Sequence, residues 1–357
     1  MKRKVGLWVM CFCLAMALSA CEKKTTEEPI VAESNFVTEE ETKQSTEAQK
    51  AESKENTHKE KYEELTFCFA DAKEGADFLS GNKEYLNGLT QNDLNFRMHQ
   101  KDTTLEEYIA FATKQTLDFT EEEKEVVSAG MEKIKDICEK NSYKLPAVEE
   151  ITFVKTTMLE ESGAGAYTHD TQIYISKSIL SLLGSEDRWA QDYGTAVLAH
   201  ELFHCLTRND AQFRKDMYGI LGFRVQEEEF QFAPAVRERI LSNPDVGKYN
   251  SYATFQIGGK ERDCVVVFTT TLPFQNPGDD MFELMTAGLV PIDDLSVMYP
   301  VESASNFWTV FGRNTEYVID PEEVLADNFS YAIIYGVDGM DYKSPEIIRE
   351  ICEYLKK

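Results

Sequence analysis

Positive charge is scarce in this sequence. Its 357 residues carry 37 Lys and Arg against 63 Asp and Glu, a formal charge of −26. That balance excludes nucleic acid as a partner and repels anionic lipid head groups. No internal repeat is present, which excludes solenoid and propeller architectures. The uncharged apolar run from Val5 to Leu18 is too short for a comfortable bilayer span. Cysteines are few beyond residue 20, at positions 21, 68, 138, 205, 264 and 352, and no two of these form a C-x-x-C pair, so a zinc knuckle or dithiol clip is absent. Histidine is rare as well, with five in the chain.

What is there begins with Lys2, Arg3 and Lys4 ahead of the apolar run, an export signal over residues 1–20. Leu18-Ser19-Ala20-Cys21, which follows, resembles the lipobox of bacterial lipoproteins. The resemblance implies that Cys21 is lipidated and anchors the protein to the cell membrane, facing outside the cytoplasm. Residues 21–60 are rich in Glu, Lys, Thr, Ser and Gln, with Phe36 the only aromatic. They bury too little apolar surface to offset the entropy of ordering, so a disordered acidic tether is expected. Residues 61–357 are rich in Phe, Tyr, Ile and Leu, enough for one elaborated domain or two closely packed subdomains. With Cys21 taken by lipid, five cysteines remain, so at least one is unpaired, and most read as buried apolar residues.

Within that region, Asp102 to Asn141 predicts two helices, the second opened by Thr120-Glu121-Glu122-Glu123, a capping-box pattern. Ile151 to Val154 and Tyr167 to Ile175 predict paired strands, and Ser176 to Leu183 a helix. Trp189 to Leu206 and Asp210 to Leu221 are helical in pattern. Phe223 to Phe232 and Cys264 to Thr271 look extended, and Ser242-Asn243-Pro244-Asp245 marks a turn. Asp320-Pro321 opens a helix running to about Tyr335, and Ser344-Pro345 opens a last one to about Leu355. Strands early, helices late and no regular β-α-β alternation predict an α+β fold.

His200-Glu201-Leu202-Phe203-His204 carries the chemistry. Residues four apart share a helix face, so two imidazoles meet one metal ion. In zinc peptidases of this pattern the intervening Glu, here Glu201, is the catalytic base that takes the proton from zinc-activated water. Ala196 to Ala199, Leu202, Phe203 and Leu206 supply the apolar surface that buries such a helix. Cys205 points roughly 100° away from His204 and reads as core.

Two imidazoles need a third ligand. Asp210, ten residues after His200, is one candidate, although Thr207 stands where the metzincins have a Gly, and Asp210 also suits a helix N-cap. The other is distant, in Pro321-Glu322-Glu323-Val324-Leu325-Ala326-Asp327, where Glu323 and Asp327 lie four apart. Here the sequence resembles the gluzincins, the thermolysin-like zinc peptidases. The resemblance implies Glu323 as third ligand of one Zn2+ per chain, and Asp327 as the carboxylate that orients a ligand histidine. It also implies a zincin-like fold, with a mixed or antiparallel sheet, an active-site helix and a second ligand-bearing helix. It covers little more than the two helices. His204 and Glu323 are 119 positions apart, far more than in thermolysin-like enzymes, and Glu322 replaces the usual Asn. Glu227, Glu228 and Glu229 read as a solvated strand end.

Gly163 to His169 resembles the zincin edge strand along which an extended substrate lies. Four side chains compete as the oxyanion stabiliser: Tyr167, His169, Tyr317 and Tyr331. The expected activity is zinc-dependent hydrolysis of a peptide or protein substrate. Two alternatives are a zinc hydrolase acting on a cell-wall amide and a non-catalytic surface lipoprotein, the latter opposed by the intact Glu201.

Overall fold

Two sheets with helices packed on them make an α+β fold in the computed structural model, which describes residues 65–357. The expected export signal, Cys21 and the tether lie outside the described residues. The first sheet contains β1 (Phe67–Phe69), β2 (Thr116–Leu117), β3 (Ile151–Thr156), β4 (Ala166–His169) and β5 (Gln172–Ser176). Its order is β1-β3-β5-β4, with β2 beside the end of β3. The first three in that order are parallel, whereas β4 runs antiparallel to β5 at the edge. Ile151, Phe153 and Val154 of β3 and Ile173, Tyr174 and Ile175 of β5 are fully buried, as parallel strands covered on both faces require.

A parallel pair needs a long crossover, and the one from β1 to β3 is helical. It holds α1 (Ala72–Gly81), α2 (Lys83–Gly88), α3 (Gln91–Met98), α4 (Leu105–Ala112) and α5 (Glu121–Asn141). The last two are the helices expected between Asp102 and Asn141, and Thr120 and Glu123 do form a reciprocal capping box. The run from Tyr167 to Ile175 differs from expectation because it is a hairpin. Asp170 takes the left-handed conformation at φ 54°, which Asp tolerates better than most residues. The chain reverses there, and only the second arm, β5, pairs with β3.

Three helices follow β5: α6 (Lys177–Leu183), α7 (Arg188–Asn209) and α8 (Ala211–Ile220). The second sheet comprises β6 (Arg224–Val225), β7 (Ser251–Ile257), β8 (Lys260–Thr270), β9 (Met285–Pro291) and β10 (Tyr299–Pro300). It is antiparallel throughout, in the order β10-β9-β8-β7-β6. Gly258 and Gly259, at φ 59° and 74°, make the two-residue turn from β7 to β8, where both positions need positive φ. The stretch Phe223 to Phe232 is mostly irregular, contrary to expectation. Only Arg224 and Val225 find a ladder partner there, and Glu227, Glu228 and Glu229 are exposed. Short helices α9 (Pro234–Arg237), α10 (Met281–Leu284) and α11 (Phe307–Phe311) connect the strands. The chain then closes with α12 (Pro321–Ile334) and α13 (Pro345–Tyr354).

The largest apolar cluster runs through both sheets. It joins Phe153 and Ile173 to Leu198, Leu202 and Phe203 of α7, to Phe329 of α12, and to Phe255 and Val266 of the second sheet. Cys138, Cys205, Cys264 and Cys352 are buried free thiols, and Cys68 is partly exposed. No described helix is long and apolar enough to cross a membrane.

Two glycines let neighbouring helices approach α7. A Cβ on Gly194 would lie 2.9 Å from the backbone nitrogen of Leu183, and one on Gly130 would lie 2.6 Å from Leu198 Cδ1. Backbone cannot swing aside as a side chain can. Gly194→Ala is therefore expected to destabilise the fold by about 1–3 kcal/mol, less the roughly 1 kcal/mol gained in helix propensity. Thermal unfolding measures this, and a melting temperature at or above that of the parent would show that α6 and α7 are not in obligatory contact.

Candidate metal centre

Helix α7 starts at Asp187, whose carboxylate accepts from the amides of Trp189 (2.7 Å) and Ala190 (3.2 Å). Its middle, from Gly194 to Thr207, is buried all round except at His200, which is part-buried. A helix apolar on every side belongs in the interior. Helix α12 crosses it and is nearly as enclosed. It begins with Pro321 in its first turn after Asp320, which accepts from the Glu322 amide at 2.8 Å. Phe203 and Phe329 pack between the two helices with ring centroids 5.3 Å apart.

That packing brings three donor atoms together. His200 Nε2 lies 3.2 Å from Glu323 Oε2, and His204 Nε2 lies 3.9 Å from the same oxygen. His200, His204 and Glu323 form a group able to hold a metal ion, with donor atoms all within 4.8 Å of one another. His204 Nε2 is buried with no hydrogen-bond partner. An orphaned buried nitrogen is costly, and a bound cation would satisfy it. The far side of each ring is held. His200 Nδ1 donates to Asp327 Oδ1 at 2.9 Å, and His204 Nδ1 donates to Glu322 Oε1 at 3.1 Å. Once a metal takes the place of the Nε2 protons, these bonds fix the tautomer that turns both Nε2 lone pairs to the cluster.

The supporting carboxylates are themselves anchored. Asp327 Oδ2 accepts from Thr315 Oγ1 at 2.5 Å. Glu322 accepts from Tyr218 Oη at 2.6 Å and from the Thr207 hydroxyl. Glu201, buried on the same helix as the histidines, accepts from Thr168 Oγ1 at 2.8 Å through Oε2. A second potential ligand group unites Glu201, His204 and Asp245. Asp245 accepts from the Thr168 amide at 2.6 Å, and Asn243 Nδ2 donates to Glu323 Oε1 at 2.5 Å.

The chain matches no family model, no curated protein and no solved structure.

Electrostatics agree with a cation site. Burial opposes the charged form of both histidines. Asp327 and Glu323 nonetheless hold His200 well above the usual imidazole range, and Asp245, Glu322 and Glu323 bring His204 to about 9. Burial raises Glu201 and, more strongly, Asp245. It also works against ionised Glu323, but the hydrogen bond from His200 and the charge of both rings keep Glu323 below its ordinary value. In the metal-free protein, then, protons on the imidazoles balance the carboxylates, and a bound metal would displace them.

The other candidates take different places. Asp210 caps α8, accepting from the Phe213 amide at 2.8 Å, and belongs to neither ligand group. Tyr317 and Tyr331 line the cavity beside His200 and Glu201, together with Tyr193. Tyr167 and His169 lie on the face of β4 opposite Thr168, following strand alternation. Tyr167 donates to Glu160 at 2.9 Å and stacks on Tyr174, and His169 packs against Tyr85 and Tyr174. Sequence reasoning missed Glu322 as the partner of His204, and it missed Asn243, Asp245 and Thr168 altogether. The turn at Ser242 to Asp245 was visible, but nothing local links it to a helix 80 residues away.

Equivalent roles imply equivalent losses. Glu322→Ala and Asp327→Ala are each expected to weaken metal affinity about 10- to 100-fold, whereas Glu323→Ala, which removes a donor atom, should lose more than either. Zinc titration with circular dichroism as the folding control tests the order. A folded Glu323→Ala protein with undiminished affinity would remove Glu323 from the centre.

Proposed function

We propose that this chain is a zinc-dependent peptidase of the gluzincin kind, with a zincin-like fold, exported and anchored to the membrane through Cys21. The observation that carries the reading is the convergence of His200 Nε2, His204 Nε2 and a Glu323 oxygen, with Glu201 beside them on the ligand helix. Ligands of a tetrahedral zinc ion, each roughly 2.0–2.1 Å from the metal, stand about 3.3 Å from one another. The 3.2 and 3.9 Å separations here are close to that spacing. Two imidazoles and one carboxylate also leave a position open, as catalytic rather than structural zinc requires. The topology adds support, because an antiparallel edge strand, β4, precedes the ligand helix and lies against Glu201 through Thr168.

Zinc bound at this centre supplies Lewis acidity, which lowers the pKa of water towards neutrality. The remaining work falls to the chain. Thr168 pins Glu201 Oε2, leaving Oε1 to accept the proton of the attacking water and deliver it to the departing amine. Asp327 and Glu322 keep the rings from turning as charge redistributes. Tyr317 or Tyr331, at the cavity wall, stabilises the oxyanion that forms on the peptide carbonyl. As the edge strand of its sheet, β4 has an outer row of main-chain groups suited to hydrogen-bonding an extended substrate.

The full chain is expected to bind about one zinc per molecule, and Glu201→Gln should keep that zinc while peptide hydrolysis falls at least about a hundredfold. Metal analysis with a peptide substrate panel tests both, and wild-type turnover without zinc would refute the proposal. The anchor has its own test. Cys21→Ala should move the protein from the membrane to the soluble fraction, and unchanged retention would assign anchoring to another segment.

A further inference from the structure

The same centre holds a feature that substrate binding does not require. The cavity over His200 and Glu201 measures only about 60 Å³, room for water and far below the roughly 300–1,000 Å³ of ordinary ligand sites. A groove of about 1480 Å³ runs close by, and Asp245 lines both spaces. Asn243 and Pro244 line the groove beside it.

Two residues of the segment Asn243-Pro244-Asp245 take up groups at the centre. Asp245 takes the outward-facing amide of Thr168 on the edge strand, at 2.6 Å. Its carboxylate also stands with Glu201 and His204 in one potential ligand group. Asn243 covers the outer oxygen of Glu323, at 2.5 Å. The segment is clamped from behind. Arg97 Nη2 donates to the Ser242 carbonyl at 2.7 Å, the Ser242 amide donates to Asp93 at 2.7 Å, and the Arg208 guanidinium donates to the Pro244 carbonyl. Arg97 and Asp93 form a fully buried ion pair at 2.9 Å, so the anchor is part of the core. Asn243 also bonds back to its own turn, through Oδ1 to the Asp245 amide at 3.0 Å and through its carbonyl to the Val246 amide at 3.1 Å.

We propose that Asn243-Pro244-Asp245 is a built-in block: it fills the place of a peptide main chain between β4 and the metal centre, and the protein folds in a latent form. The inference rests on the peptidase reading above. Displacing the segment joins the small cavity to the groove, frees the Thr168 amide and uncovers Glu323. Glu323 loses its bond from Asn243, but the metal ligands stay together because α7 and α12 pack directly on each other and Asp327 and Glu322 still hold the rings.

The test uses the full-length protein, a leucine-containing dipeptide hydroxamate as probe, and two measurements. Zinc-loaded Asp245→Ala should bind the hydroxamate at least about tenfold more tightly than wild type, with zinc affinity unchanged within a few fold. Its Thr168 amide should exchange hydrogen at least about tenfold faster. Should this variant fold poorly, the wild type alone decides. Saturating hydroxamate is expected to strip exchange protection from the Asp245 and Val246 amides, and unchanged protection would overturn the block. Equal or absent hydroxamate binding by two zinc-loaded, folded proteins would also overturn it while leaving the peptidase reading intact. Loss of zinc in Asp245→Ala would instead make Asp245 a ligand and defeat the block. No zinc uptake by wild type would sink the peptidase reading, and the block with it.

Discussion

Everything around α7 and α12 answers to one imbalance of charge. Glu201, Asp245, Glu322, Glu323 and Asp327 gather about two imidazoles, all but Asp327 and His200 in fully buried positions. An unpaired buried carboxylate costs several kcal/mol, so such a cluster persists only if each acid is protonated, hydrogen-bonded or offset by a cation. The structure uses each device. Asp245 and Glu201 are pushed towards the neutral form by burial. Glu322 and Asp327 each accept from a hydroxyl as well as from the ring they hold. His204 Nε2 remains without a partner, and that one orphaned atom points to a metal more directly than the number of acids does.

The constraint reaches outward from there. Two helices bearing this much buried polarity approach closely only if the rest of their surface is apolar and well fitted. Phe203, Phe213 and Phe329 fill the space between α7, α8 and α12, and glycines admit α5 and α6 to the other side of α7. A side chain added at those contacts acts on the centre by moving the helix that carries both histidines.

The parts that were legible in the sequence are those set by local rules. Helical spacing gave α5, α7, α8, α12 and α13, and it put His200 with His204 and Glu323 with Asp327. The helices of residues 72–98 were not read from the sequence, although the rule that found α5 applies to two of them. Asp71 with Glu74 and Thr90 with Asp93 are capping boxes of the Thr120 and Glu123 kind. The strands β7 and β9 were missed: Ala253, Phe255 and Ile257 of β7 alternate with Thr254 and Gln256 as a half-buried strand should, a signal left unread, whereas β9 carries Gly288 and Pro291 where a strand pattern looks for branched residues. Glu322 looked like a flaw when compared with the gluzincin pattern. It could be understood only beside His204, 118 residues away, and no local rule reaches that far.

The long separation of His204 from Glu323 and the segment at Asn243 to Asp245 have a common origin in the second sheet. Residues 224–300 fold between α8 and α12 as an antiparallel sheet whose apolar face joins the main core through Phe255, Val266 and Leu289. Because its register is fixed by that burial, the chain can travel far and still return α12 to α7 with Glu323 in place. The same sheet must be reached from α8, and the path from β6 to β7 runs along the outer edge of β4, where Asp245 takes the Thr168 amide. Its anchor there is the buried pair Arg97 and Asp93 from α3, a helix of the first crossover. The insertion thus meets the first sheet at the spot where an edge strand faces the metal centre. A connection of this length could have passed over solvent, as most loops do. Its core anchor and its two contacts with the centre's own residues make it part of the site.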